Sequence, residues 1–372
     1  MYVIMNMYVI MDEYHSVGTM QPCESCHALW CVGHRILHRM RQPLVPLSPP
    51  IIQHAMTKPI SHSSGQTSSL QFKLSEWAAQ FGMRVRGMIT PDDFTSLFED
   101  LNGYDEYLRK YSAVTLQEAS VLEVGYGARP LRLIALISMG VNARGVDLDQ
   151  PCLTGNIREI IEMSRRNGGE RAFKSAVRML LFDKHERHGL SKALRKRKQC
   201  RMNILLDRFV VDDATSEGFS AQIGPGTLDF IFSEDVFEHI PESDIQGLVR
   251  RMSMWLKPTG IAIINPDIWT GITGGHLTEW YHGNVEKPLK RESEPWEHLR
   301  KRRFEANTYM NQMSRTSYRD AFSKYFDILE EVVKMPHLGA QYLTEEVRQE
   351  LKGMPDDELF SNNVVFVLRR KP

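Results

Sequence analysis

The sequence predicts an α/β fold built on a mostly parallel sheet that helices cover on both faces. From Ser120 onward, short apolar runs typical of buried strands alternate with segments of helical spacing. Several apolar runs are followed directly by glycine or aspartate. In open sheets of this class, ligands bind beyond the carboxyl ends of the strands, so we expect the functional site there.

Composition excludes several protein classes. The chain has 372 residues, 42% of them hydrophobic, which is enough for a sizeable core and for one enlarged domain or two or three smaller ones. With 46 basic and 46 acidic residues, the net charge of zero argues against a surface coated in positive charge for nucleic acid. No apolar run approaches the ~20 residues of a membrane span, and five scattered cysteines do not suggest a disulfide framework. We expect a cytoplasmic protein without membrane contact, and the oligomeric state stays open.

The first 69 residues differ from the rest. Residues 42–69 are rich in Pro, Ser and Gln, which predicts an irregular leader before one large domain over residues 70–372. The leader also contains cysteines and histidines at a spacing compatible with zinc, although no second cysteine pair accompanies them: Cys23, Cys26, Cys31, His34 and His38. Unpaired thiols are the alternative there, and we assign no metal to the chain.

Helices are predicted by apolar spacing and by their end signals. Thr90 followed by Pro91 and two acids marks one helix start, and another helix has Pro130 inside its start and Gly140 just past its end. The predicted helices cover residues 71–83, 91–111, 129–139, 154–166, 241–256 and 344–352. The predicted strands cover residues 121–124, 143–148, 208–211, 228–232, 261–265, 326–333 and 364–369.

Two further segments interrupt this alternation. An insertion at about 170–205 contains a basic run, 192–201, which could contact nucleic acid. Since no aromatic residues interleave the run, a solvated helical face is the better interpretation. Residues 266–325, at the end of the fifth strand, are predicted to cover a substrate.

Three strand ends contain residues suited to a nucleoside ligand. Gly125 and Gly127, after the first strand, let backbone approach a ligand closely. The third glycine of a dinucleotide site is missing, because Pro130 stands there. Asp147, twenty residues after Gly127, could accept hydrogen bonds from both ribose hydroxyls, and Asp213 could accept one from an adenine amine.

Five segments in this order, four at strand ends and one in the helix-turn before the fifth strand, resemble the class I S-adenosylmethionine-dependent methyltransferases. They cover residues 123–127, 145–149, 212–214, 232–240 and 255–260, within a resemblance that spans about 118–270. The resemblance implies a Rossmann-like, doubly wound, seven-stranded, mostly parallel sheet with a closing antiparallel strand pair. It also implies S-adenosylmethionine as cofactor and methyl transfer to an oxygen or nitrogen of a small molecule, of the secondary-metabolite or glycan type.

The resemblance also assigns roles around the first two strand ends. Gly125, Tyr126 and Gly127 would line the methionine part of the cofactor, and Glu123 would reach its amino group through the backbone or water. Asp147 would hold the ribose, with Asp149 a weaker candidate. Arg129 stands where the family often has a third glycine, and it would either contact the methionine carboxylate or point away.

The remaining assigned roles lie at the third and fourth strand ends. Asp213 would hold the adenine amine, with Ala214 beside the ring. Ser233 and Glu234 would face the sulfonium region of the cofactor.

Two histidines are candidates for a general base. A base is needed only when the acceptor must lose a proton, and histidine suits that task near neutral pH. His239 follows the fourth strand, and His276 lies in a glycine-rich segment after the fifth. Each has a structural alternative, as a histidine that fixes local packing. Asp235 and Glu238 with His239 also resemble the ion-binding residues of some quinone-pathway O-methyltransferases, although an ordinary helix start explains them well and is the preferred interpretation.

The sequence leaves three other functions open. One is a non-catalytic methyltransferase-like binding protein, and another is a nucleic-acid methyltransferase that would use the basic run. The third is a nicotinamide-dependent oxidoreductase, which the missing third glycine disfavours.

Overall fold

Seven strands form one sheet in the computed structural model, which describes residues 94–167, 178–304, 306 and 308–372 together with Ala79 and Gly82. The strands are β1 Ser120–Val124, β2 Asn142–Asp147, β3 Phe209–Val211, β4 Leu228–Glu234, β5 Leu256–Asn265, β6 Phe326–Val333 and β7 Val364–Arg370. Their order in the sheet is β3-β2-β1-β4-β5-β7-β6. All seven predicted strands are therefore present.

The sheet is parallel except at one edge. β1 pairs in parallel with β2 and β4, β2 with β3, and β4 with β5. β7 lies between β5 and β6 and runs antiparallel to both. This arrangement confirms the predicted doubly wound α/β class, including the closing antiparallel pair.

Helices connect the strands and cover the sheet. They are α1 Thr95–Ser112, α2 Leu131–Ser138, α3 Ile157–Asn167, α4 Lys184–Lys198, α5 Glu217–Ile223, α6 Glu242–Trp255, α7 His282–Val285, α8 Arg315–Ser323, α9 Glu345–Glu350 and α10 Asp356–Leu359. A π-helical turn, Met179–Asp183, leads into α4. None of the helices in the described part of the chain is long and apolar enough to cross a membrane.

Alternate residues of the central strands contribute side chains to two hydrophobic cores. Val121, Phe230 and Ile261 are paired across neighbouring strands and pack with α1, α2 and α4 on one face. Their chain neighbours Leu122 and Ile231 pack with α5, α6 and α8 on the other face. Because both faces are covered, the central strands are apolar at successive positions, which is the pattern the sequence shows.

The predicted start of the fifth strand is wrong by five residues. β5 begins at Leu256, which pairs with Leu228, whereas Ile261 pairs with Phe230. Residues 257–260 therefore form a bulge within the strand, and Lys257 Nζ contacts both carboxylate oxygens of Asp229 at 2.9 and 2.8 Å. Proline and glycine in this stretch predict a turn, but the strand resumes its pairing beyond them.

The basic run of the insertion lies on an amphipathic helix. Leu190 and Leu194 of α4 are fully buried against the core that contains α1. Near the end of α4, Arg197 Nη2 donates to Thr95 Oγ1 at 2.5 Å and Lys198 Nζ to Asn102 Oδ1 at 3.2 Å. Two of the basic side chains thus contact α1. The leader, the 69/70 boundary and the helix signals at 90–93 lie outside the described residues.

Candidate functional site

The turn after β1 places a backbone amide on the carboxylate at the end of β2. Gly125 and Gly127 have left-handed φ angles of 81° and 66°, where a side chain is strained. Gly127 N donates to Asp147 Oδ2 and Asp149 N donates to Asp147 Oδ1, both at 2.7 Å. The two amides hold this half-buried carboxylate at the carboxyl edge of the sheet, where the sequence predicts a ribose-binding acid.

The same turn packs tightly against its neighbours. A Cβ on Gly125 would lie 2.3 Å from Val236 Cγ2, so only glycine fits between β1 and the loop after β4. The Tyr126 side chain is 4% exposed, and its hydroxyl donates to Val210 O at 3.1 Å. Its ring packs edge-on against Phe209, with the centroids 5.8 Å apart. Tyr126 therefore ties β1 to β3 through its side chain.

The end of β3 lies beside the backbone of Asp147. Asp212 N donates to the carbonyl oxygen of Asp147 at 3.0 Å. Asp213 Oδ1 accepts from Thr215 N at 2.8 Å and from Thr215 Oγ1 at 2.7 Å. Within the described part of the chain, no hydrogen bond reaches Asp213 Oδ2. The Asp213 carboxylate, which is predicted to bind adenine, is thus oriented through Oδ1. Its Oδ2 can accept a hydrogen bond from a ligand.

A partly buried charge network connects β1, β4, α1 and α2. Arg132 Nη2 donates to Glu234 Oε2 at 2.9 Å and to Asp100 Oδ2 at 3.3 Å. Its Nη1 lies 3.8 Å from Glu123 Oε1, and the Tyr104 hydroxyl donates to Glu234 Oε1. One arginine therefore faces three carboxylates, and the network has an excess of acid.

Glu123 is the most desolvated acid of this network. Burial raises its pKa to about 8, with Arg132 lowering it and Glu234 raising it. Its Oε2 has no hydrogen-bond partner among the described residues. Glu123 is therefore largely protonated at neutral pH, and a cation bound nearby would favour its ionised form.

Two other sequence-predicted positions have partners elsewhere. The Ser233 hydroxyl donates to Val124 O at 2.8 Å and is buried within the sheet. Arg129 forms an ion pair with Glu186 of α4. Both side chains are thus occupied by structural contacts within the protein.

A second polar group, which we call the β4–β5 cluster, lies at the ends of those two strands. It consists of Glu238, His239, Asp267, His276 and His282. His276 Nε2 lies 3.1 Å from Asp267 Oδ2, and His282 Nε2 lies 3.3 Å from Asp267 Oδ1. The rings of His239 and His276 have centroids 5.2 Å apart. The structure thus brings together the two histidines that the sequence singles out.

The acids of the cluster differ in their environments. Burial, together with Asp267 and Asp235, raises the pKa of Glu238 well above its ordinary value. Burial also acts to raise the pKa of Asp267, but His276 and His282 lower it more, so it stays below its usual range. Burial lowers the pKa of His239. At neutral pH this gives an ionised Asp267 next to a neutral His239.

The glycines before His276 serve close packing. A Cβ on Gly274 would lie 2.4 Å from Trp269 O, and one on Gly275 would lie 2.6 Å from His298 Nδ1. Ile272, Leu277 and other residues of this segment form a third core with α9 and α10. His276 is therefore held in a well-packed segment, with a left-handed φ of 51°.

Sequence reasoning missed Asp267 and His282. Asp267 comes two residues after the end of β5, so the strand-end rule that identified Asp147 could have found it. His282 begins the short helix α7, and only the fold of the intervening loop brings it to Asp267. No periodic pattern in the sequence marks such a contact.

Comparisons with known proteins give fold-level likenesses. No family model and no curated protein matches the chain. Solved structures that resemble it include a protein from Pyrococcus horikoshii, at 14% identity and a TM-score of 0.37, over 74% of this chain and 92% of that one. A geranyl diphosphate C-methyltransferase from Streptomyces coelicolor has 14% identity and a TM-score of 0.36, with 73% and 76% covered.

A further solved structure is an S-adenosylmethionine-dependent methyltransferase from Methanosarcina mazei. It has 12% identity and a TM-score of 0.37, over 70% of this chain and 95% of that one. The strand order of this chain and its antiparallel edge match the class I methyltransferase α/β fold.

Proposed function

We propose that the protein is an S-adenosylmethionine-dependent methyltransferase that acts on an oxygen or nitrogen of a small molecule. The observation that carries the proposal is Asp147 at the end of β2, held by amides of Gly127 and Asp149. A carboxylate oxygen accepts more than one hydrogen bond, so ribose hydroxyls would share Asp147 with these amides or replace them.

The neighbouring strand ends suit the rest of the cofactor. Asp213 would accept from the adenine amine, and Ala214 with the 64% exposed Leu148 would pack against the ring. Gly125 and Gly127 would line the methionine part, with its ammonium group near Glu123. An ammonium there would offset the excess of acid around Arg132, since opposite charges at close range favour each other's charged form. Glu234 would face the sulfonium side.

The β4–β5 cluster would form the acceptor side of the site. Methyl transfer from a sulfonium is an in-line displacement, so the protein mainly supplies alignment and a dry environment. A hydroxyl acceptor also needs help in losing its proton. His276 and His239 are the candidate bases: His239 follows β4, and the loop after β5 brings the His276 ring to 5.2 Å from the His239 ring.

Calorimetric titration with S-adenosylhomocysteine tests the proposal. We expect the unaltered protein to bind one equivalent in the micromolar range, and Asp147→Ala to weaken binding by about 10–100-fold, the usual effect of removing hydrogen bonds to a charged group. Asp207→Ala is the matched control, because this carboxylate lies before β3 with an 80% exposed side chain. Absence of binding by the unaltered protein would refute the proposed function.

A further inference from the structure

We infer that Glu238, Asp267 and His276 bind a divalent transition-metal ion. One ligand atom from each residue lies within 4.8 Å of the others. Glu238 belongs to the turn Phe237–His239 after β4, and Asp267 follows β5. The ends of two strands and one packed loop therefore place the carboxylates of Glu238 and Asp267 and the imidazole of His276 around one point.

Glu238 provides the strongest evidence for an ion. The residue is 1% exposed. The backbone amides of Glu238 and Asp267 approach its carboxylate and act to lower its pKa, but neither oxygen accepts a well-formed hydrogen bond among the described residues. Its backbone is fixed, because Asn311 N donates to Glu238 O at 2.8 Å. A buried carboxyl without partners is costly. A cation bound to both oxygens removes that cost.

His276 Nε2 is also available as a ligand. It lies 3.1 Å from Asp267 Oδ2, yet the two are not aligned for a hydrogen bond, and the nitrogen is buried without another partner in the described part of the chain. The other Asp267 oxygen, Oδ1, accepts from Asn363 Nδ2 at 3.1 Å. Asn363 thus orients Asp267 with Oδ2 toward His276, which is how outer partners commonly position metal ligands.

His239 is placed to be a fourth ligand. Its Nδ1 lies 2.8 Å from Tyr309 O, and because a carbonyl oxygen can only accept, Nδ1 must carry the proton. In the neutral ring, Nε2 then bears the lone pair, and it lies 3.9 Å from Glu238 Oε1. Two acceptors that face each other in this way are compatible with a cation between them.

The donor set indicates which ions would bind. Imidazole nitrogens suit zinc and the other late transition metals, while carboxylates suit manganese and magnesium. A mixed nitrogen and oxygen set therefore favours ions such as Mn²⁺ or Zn²⁺ over Mg²⁺ and Ca²⁺, which prefer oxygen ligands. If the proposed function holds, the ion would lie beside the acceptor and would lower the pKa of a hydroxyl group. In that case the ion, and not a histidine base, would promote loss of the acceptor's proton.

Manganese is the appropriate probe, because the leader's cysteines could bind zinc independently. The full-length protein, stripped with a chelator, is titrated with Mn²⁺ by calorimetry and by the loss of the free-ion electron paramagnetic resonance signal. We expect one equivalent to bind, and a saturating ion concentration to raise the melting temperature by about 5 °C. S-adenosylhomocysteine binding, measured on the stripped protein, is expected to persist, so the two proposals can fail separately.

Glu238→Gln separates a ligand from a structural residue. We expect the variant to lose manganese binding, while its metal-free form melts at the same temperature as the unaltered protein or higher, because glutamine keeps the shape of the buried side chain and removes an ionisable group from the interior. Glu242→Gln is the matched control, because Glu242 is exposed at the start of α6. We expect this variant to bind manganese as the unaltered protein does. His276→Gln supplies a second ligand variant if Glu238→Gln does not fold. No binding by the unaltered protein, or undiminished binding by both ligand variants, would overturn the inference.

Discussion

At the residue scale, the candidate site depends on carboxylates in unequal environments. Asp147 is half-buried and accepts backbone amides, whereas Glu123 and Glu238 are buried and have oxygens without partners in the described part of the chain. Desolvation disfavours the charged form of an acid unless a donor or cation compensates. The two buried acids are therefore the positions where a bound cation would change the protein most.

Glu123 gives a pH-dependent prediction. Its pKa is raised to about 8, so below that pH it is protonated, and binding an ammonium group nearby would require loss of the proton. We expect the affinity for S-adenosylhomocysteine to increase from pH 6 to pH 7.5, by at most about tenfold per pH unit. The test is calorimetry in buffers of different ionisation enthalpy, which reports proton release directly.

Glu123→Gln is the control for that effect, since the amide cannot titrate. It should bind with an affinity that changes little across the same pH range. Proton uptake in place of release, or the same pH dependence in Glu123→Gln, would exclude Glu123 as the group responsible.

At the scale of elements, the loop after β5 determines where His276 lies. The loop folds back so closely that Gly274 contacts the backbone of Trp269 and Ile268. Its apolar residues form a core with α9 and α10. The position of His276 is therefore a consequence of packing, and we expect the segment to resist substitutions that add volume.

Gly274→Ala tests the packing of this loop. A Cβ there would lie 2.4 Å from Trp269 O, and such overpacking typically costs about 1–3 kcal/mol of stability. We expect thermal unfolding to occur about 5 °C lower than in the unaltered protein. Gly283→Ala is the control, because nothing lies within 4 Å of its added methyl. Equal melting temperatures for the two variants would show that the loop can rearrange.

At the scale of the whole molecule, the sheet was predictable because strand and helix alternate with distinct spacing. The strand 326–333 was predicted with the bounds that the structure has, and the others differ at their ends. β5 was the least accurate, since a bulge resembles a turn in sequence. The position of Asp147 at the carboxyl edge of the sheet was predictable because the carboxyl ends of parallel strands share one edge.

The β4–β5 cluster was only partly predictable. Glu238 and His239 follow β4 directly, but Asp267, His276 and His282 reach them through an irregular segment. Irregular loops have no period, so the sequence does not indicate which of their side chains meet. Strand position alone likewise did not reveal that the Ser233 hydroxyl donates to Val124 O.

The central claim is that the carboxyl ends of β1, β2 and β3 bind S-adenosylmethionine. A crystal structure of the full-length protein with S-adenosylhomocysteine tests it most directly. We expect the ribose hydroxyls within about 3 Å of the Asp147 carboxylate and the adenine beside Asp213 and Ala214. A ligand bound elsewhere, or with its ribose away from Asp147, would contradict the account.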